Sequence, residues 1–328
     1  PPAPEPRVSD RALLARLCEG PASGAELAAG LGITRSAVWK RIEALRAAGV
    51  DIEAEPGRGY RLARPLRLLD EQALAAALSP AARAELAGLE VLFETDSTNA
   101  EALRHPAPAH GTRAWLAERQ TAGRGRRGRQ WATPLGAQVA LSLSRRFDGG
   151  VAALQGLSLA VGVAAAEALH GLGYTAVGLK WPNDLLAGGR KLGGILVELR
   201  GDAAGPLQVV VGLGLNVCMP ATAGTDIDQA WCDLAGLSPS PPAREAVCVA
   251  LLDALLPLLS RFEREGLAPW LDAWRRHDLL AGRPVRLAEG ATVLEGVAIG
   301  IDADGALRLR TEHGERLCHA GEASLRAA

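Results

Sequence analysis

The chain has 328 residues, enough for two or three domains, and 48% hydrophobic with 22% charged residues excludes a disordered or fibrous polymer. Lys plus Arg number 36 against 37 Asp plus Glu, so any nucleic-acid signal has to be local. Five scattered cysteines (Cys18, Cys218, Cys232, Cys248, Cys318) form no CxxC pair and have no histidine at metal-ligand spacing, which predicts reduced thiols, no disulfides, no bound zinc and a cytoplasmic protein. The opening PPAPEPRVSD lacks the basic and apolar regions of a targeting segment, and no apolar run reaches the ~18 residues of a membrane span. The nearest, 151–166, carries Gln155 and Ser158 and reads as a buried helix, so no membrane partner is expected.

In chain order, the first elements are short. Arg11 to Glu19 places Leu13, Leu14 and Leu17 on one helical face before Gly20-Pro21, and Ala25 to Ala29 makes a second helix closed by Gly30 and Gly32. Thr34 is the expected N-cap of a third helix with Val38, Ile42 and Leu45 at i, i+4, i+7 and Gly49 as its stop. Val50 and Ile52, a turn at Pro56-Gly57-Arg58-Gly59, then Tyr60 and Leu62 predict a hairpin. Three helices and a hairpin make a winged helix-turn-helix over 1–64.

From 65 to 278 the pattern becomes α/β. Strand-like runs at 89–93, 114–116, 139–143, 194–199 and 209–215 alternate with helical patterns at 67–87, 151–171 and 243–265, which predicts a mixed sheet flanked by helices. Over 279–328, alternation (Val285, Leu287; Val293, Val297, Ile299, Ile301; Leu307, Leu309) with turns at Glu289-Gly290 and Asp302 to Gly305 predicts a small β-barrel. The fold class is therefore a multidomain α/β (α+β) chain.

The sharpest local signal is Gly123-Arg124-Gly125-Arg126-Arg127-Gly128-Arg129, where glycines let backbone N–H groups approach an anion and guanidinium forks grip phosphate or carboxylate oxygens. Its letters fit G-x-G-x-x-G, but Gln130 to Pro134 follows where a dinucleotide fingerprint needs a helix, and no GxxxxGK occurs. A solvated basic loop or an RNA-binding RGG-like patch is the alternative reading, disfavoured because no aromatics are interleaved. A second cluster joins Lys180-Trp181-Pro182-Asn183-Asp184 to Arg190-Lys191-Leu192-Gly193-Gly194. The chain has only three lysines and two of them lie here, which suggests a compact ammonium aimed at a carboxylate. Asn183 and Asp184 either orient a lysine, hold magnesium through water, or form a turn.

GRGRRGR with Trp131, KWPND, RKLGGILVE, Asp96-Ser97-Thr98-Asn99 and Gly212-Leu213-Gly214-Leu215-Asn216, ending near Gly321 to Arg326, together resemble the biotin protein ligases. With the N-terminal winged helix, the chain is similar to the bifunctional biotin ligase and biotin-operon repressors. Gln130 and Gly193 depart from the family's usual basic residue and Ala. The resemblance implies a central sheet like that of class II synthetase-like biotin/lipoate ligases, an SH3-like C-terminal barrel, and a two-step reaction. Biotin and ATP with Mg2+ give biotinyl-5'-AMP, and biotin then passes to a lysine of the biotin carboxyl carrier protein of acetyl-CoA carboxylase. It implies Arg124, Arg126 and Lys191 as catalytic cations. Ser97, Thr98, Asn99, Gln120, Arg124, Gly125, Arg126, Lys191, Gly194, Gly212 and Gly214 bind biotin and its adenylate. Arg129, Trp131, Lys180, Asn183, Asp184, Asn216 and Trp231 bind ATP, Trp231 being the weakest of these and also readable as a packing residue. No protein side chain is assigned as a metal ligand, and the glycine–arginine loop acts as a lid over the mixed anhydride.

Residues 31–64 carry seven basic side chains (Arg35, Lys40, Arg41, Arg46, Arg58, Arg61, Arg64) against Glu43, Asp51, Glu53 and Glu55. Arg35, Ser36, Trp39 and Lys40 on the recognition helix, with Arg58 and Arg61 on the wing, are the expected DNA contacts. A winged helix used for protein contacts is the alternative. By resemblance, biotinyl-5'-AMP is a corepressor that favours a homodimer on palindromic biotin operator DNA. Two other classes compete: a biotin-sensing repressor without ligase activity, and a ligase for lipoate.

Overall fold

The computed structural model describes residues 6–55, 57–220, 229–240, 243–289, 292–320 and 323–327. The turn residues Pro56 and Gly290 and the Gly321-Glu322 start of the C-terminal match lie outside the described residues.

The first unit holds α1 (Pro6–Glu19), α2 (Gly24–Leu31), α3 (Arg35–Ala47) and the antiparallel hairpin β1 (Ile52–Glu55) and β2 (Gly59–Leu62). Its helix ends follow from local chemistry. Ser23 and Glu26 close a reciprocal capping box, Gly32 ends α2 at φ 64°, and Thr34 accepts from the Ala37 N–H to start α3. Val38, Ile42 and Leu45 are buried with Leu13, Leu14, Leu17 and Leu27, as their spacing requires. Gly59, at φ 92°, sits where a Cβ would strike the Ala22 backbone, and Tyr60 exchanges backbone hydrogen bonds with Ala22, so the hairpin is strapped to the α1–α2 turn.

The central unit contains α4 (Glu71–Ala77), α5 (Pro80–Glu85), β3 (Leu86–Thr95), α6 (Thr98–Arg104), β4 (Thr112–Gln120), β5 (Gln138–Phe147), α7 (Leu157–Gly171), β6 (Val177–Lys180), β7 (Asp184–Ala187), β8 (Arg190–Gly201), β9 (Leu207–Asn216), α8 (Arg244–Glu265) and α9 (Leu271–His277). The helical pattern over 67–87 resolves into two short helices. Leu78 is extended, Ser79 caps α5 and Pro80 is its first residue, because the residue before a proline is kept out of the α region. Seven strands form one mixed sheet in the order β3-β4-β5-β9-β8-β7-β6, with β3 and β4 parallel and the other pairs antiparallel.

The two-residue strand period divides this sheet into two faces. Val139, Leu141 and Leu143 of β5 and Val209, Val211, Leu213 and Leu215 of β9 are buried in the main core with residues of α7 and α8. Ten residues of α7 are buried, as the sequence reading of 151–166 anticipates for its second part; residues 151–154 instead form a separate 3₁₀ turn in which Val151, Ala152 and Ala153 are exposed. The alternate positions, Gln138, Ala140 and Ser142 on β5 and Gly212, Gly214 and Asn216 on β9, face the other side. There α6 and the β4–β5 loop leave a cavity.

The last unit is an antiparallel sheet of β10 (Pro284–Glu289), β11 (Thr292–Ile301), β12 (Leu307–Thr311), β13 (Gly314–Cys318) and β14 (Ala323–Ala327), ordered β13-β12-β11-β10-β14. Trp181 anchors it, with Nε1 donating to Gly305 O at 3.0 Å. The first unit is fixed to the central one by the Leu135 N–H on Ala48 O at 3.0 Å and by Arg64, which donates to Met219 O at 3.2 Å; within the central unit, Glu118 of β4 and Arg244 of α8 form a buried ion pair. Glu118 also accepts from the Leu69 N–H at 2.5 Å, and Arg244 donates to Arg67 O at 3.0 Å, so the pair grips the connecting segment.

Candidate active site

The cavity, about 690 Å3, opens at the ends of β4, β5, β8 and β9. Gly212 and Gly214 on β9 and Gly194 on β8, which pairs with Gly214, make its floor flat. A Cβ at Gly212 would collide with the Asn99 amide, and one at Gly214 would lie 2.6 Å from the Trp131 indole. These two glycines therefore admit the side chains that wall the site.

One wall is a polar chain running from the start of α6 to the loop. Ser97, Thr98 and Asn99 are all nearly buried. Thr98 N–H donates to Gln120 Oε1 at 2.8 Å, and Gln120 Nε2 donates to Thr133 Oγ1 at 3.1 Å. Ser142 Oγ donates to Asn99 Oδ1 at 2.6 Å, while Asn99 Nδ2 donates to Glu198 at 2.7 Å. Such a set offers both donors and acceptors to a planar polar ligand head.

The opposite wall is charged. Lys180 and Lys191 donate to Asp184 at 2.7 and 2.8 Å from paired strands, so Asp184 orients two ammonium groups. Burial pushes the Asp184 carboxyl up, but Lys191 and Lys180 together hold it below the ordinary aspartate value. Burial lowers the Lys191 ammonium despite Asp184. Lys191 Nζ also stands 5.5 Å from the Trp131 ring centroid. The Trp131 indole donates to Gln138 at 2.9 Å, Gln138 to Asn216 at 2.8 Å and Asn216 to Cys232 O at 2.9 Å. Residues 230–232 run beside Lys191, which places Trp231 in the wall.

The glycine–arginine loop lies across the mouth, folded by a bridge between Arg124 and Gln130 and a 3₁₀ turn at 126–128 in which Arg127 has φ 61°. Arg124 donates to Glu198 at 3.2 Å; Arg126 donates to Asn183 at 3.1 Å and to Ala320 O of the C-terminal unit. Burial lowers the Arg126 pKa. Arg126, Arg129 and Lys191 thus converge near Asp184 and Asn183, a cation cluster suited to an anionic reaction centre.

Of the residues the sequence singled out for ligand and nucleotide, all but Lys180 line this cavity. Lys180 stands behind Asp184 instead. The sequence reading missed Gln138 and Thr133 in the wall, Glu198 and Ser142 behind Asn99, and Ala47, Ala48 and Gly49 at the end of α3, which also form part of the wall. The alternation of small and polar residues along β5 was the available signal for Gln138 and Ser142.

On the winged unit, Arg35, Ser36, Trp39 and Lys40 are exposed, Trp39 by 56%. The wing is less bare than its sequence suggests. Arg61 pairs with Glu53 and Glu55 on β1, while Arg58 stays 82% exposed 3.7 Å from Glu55.

Three family models match in chain order: an HTH domain at residues 11–61, the biotin/lipoate A/B protein ligase family at 90–216, and the biotin protein ligase C terminal domain at 281–326. The bifunctional ligase/repressor BirA of Salmonella typhimurium is 40% identical over 93% of this chain and 93% of its own length. A biotin–[acetyl-CoA-carboxylase] ligase of Paracoccus denitrificans is 37% identical over 71% of this chain and 98% of its own. The solved biotin protein ligase from Aquifex aeolicus in complex with biotin and ATP superimposes with a TM-score of 0.62 at 28% identity, covering 74% of this chain and all of that one. The chain therefore belongs to the biotin protein ligases, in the branch of bifunctional ligase/repressors.

Proposed function

We propose that this chain activates biotin with ATP, transfers it to a carrier-protein lysine, and represses transcription when the adenylate fills its site. One observation carries the reading: a single cavity unites the polar chain of α6 and Gln120 with the cations Arg124, Arg126, Arg129 and Lys191. In the first step a carboxylate oxygen of biotin forms a bond to the α-phosphorus of ATP and pyrophosphate leaves. Both partners are anionic, so preorganised cations lower the barrier. Ser97, Thr98, Asn99 and Gln120 hold the ureido ring, and Gly194, Gly212, Gly214 and Gly125 let the backbone lie close to the tail. Trp131, Asn183, Asp184, Asn216, Trp231 and Arg129 serve the nucleotide, with Lys180 acting through Asp184.

In the second step a carrier lysine amine attacks the acyl carbon, the C–O bond to AMP breaks and the amine proton is lost. The loop over the cavity keeps water from the mixed anhydride until then. Among the described residues no group of three His, Cys, Asp or Glu side chains forms a metal site, and Asp184 is occupied by two ammonium groups. Asp184 is thus engaged by its own lysines, and the magnesium ion is read as part of the MgATP substrate, held mainly by its phosphates.

The carrier is the biotin carboxyl carrier protein of acetyl-CoA carboxylase. The domains are 1–64, 65–278 and 279–328. Arg35, Ser36, Trp39 and Lys40 enter the operator major groove and Arg58 and Arg61 meet its flank. The adenylate-bound chain dimerises through the central sheet to present two winged helices. Five free thiols suit a reducing cytoplasm. Biotin-dependent ATP–pyrophosphate exchange tests the enzyme, and its absence would leave a sensing repressor; preference for lipoate in a competition assay would replace biotin. Salt-matched gel shifts test the repressor, with operator affinity rising steeply on adding biotin and ATP, and no ligand effect contradicting it.

A further inference from the structure

Glu198, on β8, is approached from two sides by groups of the cavity wall and is not itself part of that wall. Asn99 Nδ2 donates to its Oε2 at 2.7 Å, and Arg124 Nη2 donates to the same oxygen at 3.2 Å. Asn99 is 4% exposed, and its amide is oriented by opposing contacts, with Ser142 Oγ on its oxygen at 2.6 Å and Leu196 O and Glu198 on its nitrogen. The Glu198 side chain is 25% exposed and that of Arg124 43%. A carboxylate so placed needs a counter-ion, and the neutral Asn99 amide does not supply one; Arg124 does. The pair also joins the glycine–arginine loop to a strand of the central sheet.

We propose that Glu198 is a positioning residue that acts on the ligand through Asn99 and Arg124 and tunes the site's preference for an anionic ligand over a neutral one. The proposal rests on the reading that the cavity takes biotin. A ligand carboxylate that recruits Arg124 competes with Glu198 for one guanidinium. The Asn99 contact is indifferent to that competition, because it serves the ring end of the ligand. Glu198 therefore lowers affinity for the acid relative to an uncharged analogue with the same ring, while supporting both through Asn99.

The test is the ratio of dissociation constants for biotinol, the primary-alcohol analogue, and biotin, measured calorimetrically on the full chain. Glu198→Gln keeps an acceptor for Asn99 and removes the charge. It should raise the ratio about tenfold, the change that accompanies one charge-assisted hydrogen bond. Glu198→Ala should raise the ratio equally and weaken both ligands, since Asn99 then loses its partner. Arg124→Gln should lower the ratio, and adding Glu198→Gln to it should change the ratio no further. A ratio within twofold of wild type in Glu198→Gln, or an equal rise in the Arg124→Gln background, overturns the proposal. If Glu198→Gln does not fold, Glu198→Asp draws the charge back by one methylene, and an unchanged ratio there overturns it as well. Wild-type protein that binds neither ligand contradicts the proposed function itself, whereas tight biotin binding with unmoved ratios contradicts only the role of Glu198.

Discussion

Asp184→Asn removes the carboxylate that Lys180 and Lys191 share. At an effective dielectric constant of ~20, opposite charges at the observed 2.7 and 2.8 Å attract by about 6 kcal/mol each. Most of that offsets the desolvation of three charges, and removing one partner of a buried pair costs about 3–5 kcal/mol. The lower end applies, because the lysine side chains retain 18% and 14% of their exposure. A loss of about 3 kcal/mol corresponds, at a urea slope of about 3 kcal/mol per molar, to a midpoint for the central domain lower by about 1 M. The variant also changes the pH profile of pyrophosphate exchange. Burial already lowers the Lys191 pKa against the pull of Asp184, so losing Asp184 lowers it further. The ammonium is the working form, present below its pKa and lost above it, so the alkaline limb moves to lower pH. In wild type, the Asp184 carboxyl is held low. Its contribution to stability is complete above the unfolded value of about 3.9 and fades as pH falls through the lower folded value. A midpoint within 0.2 M of wild type, by a rough detection limit, together with an unmoved alkaline limb, would refute the reasoning.

Three further perturbations probe separate parts of the account. Gly212→Ala drives a Cβ into an Asn99 amide that is pinned on both sides, so the biotin KM should rise about 30-fold, the equivalent of ~2 kcal/mol of overpacking, with the ATP KM little changed; a biotin KM within twofold of wild type contradicts this. Arg126→Gly removes the guanidinium that ties the loop to Asn183 and Ala320, and should release biotinyl-adenylate and label bystander lysines, whereas equal or better retention in a quench assay argues against a lid. Arg244→Ala leaves the fully buried Glu118 without its counter-ion and should destabilise by about 3–5 kcal/mol in urea unfolding, while a loss under 1 kcal/mol would show that the central unit does not depend on the pair.

Helix ends and the glycine–arginine loop were legible because their causes are local: Thr34 caps α3 with its own hydroxyl, and three glycines with four arginines define a glycine-rich cationic loop whatever surrounds it. The apolar spacing over 67–87 suggests one helical pattern, but Pro80 keeps Ser79 out of the α region and splits the segment into two helices. Lys180 was placed with the nucleotide since a sequence shows proximity to Asp184 but not which ammonium faces the cavity. Glu198 and Ser142 gained their meaning only from the pairing of β5, β9 and β8, which brings residues far apart in the chain onto one face around Asn99. The wall contributed by Ala47 to Gly49 depends on how two domains dock, and no local pattern encodes that.

Native mass spectrometry of the purified chain incubated with biotin and MgATP is the most direct test of the central claim, that these cations assemble and retain an acyl-adenylate. The account predicts a protein peak heavier by one biotinyl-5'-AMP that persists through buffer exchange and disappears when a carrier lysine is supplied. A spectrum showing only bare protein or bound biotin, with ATP unconsumed, would contradict it.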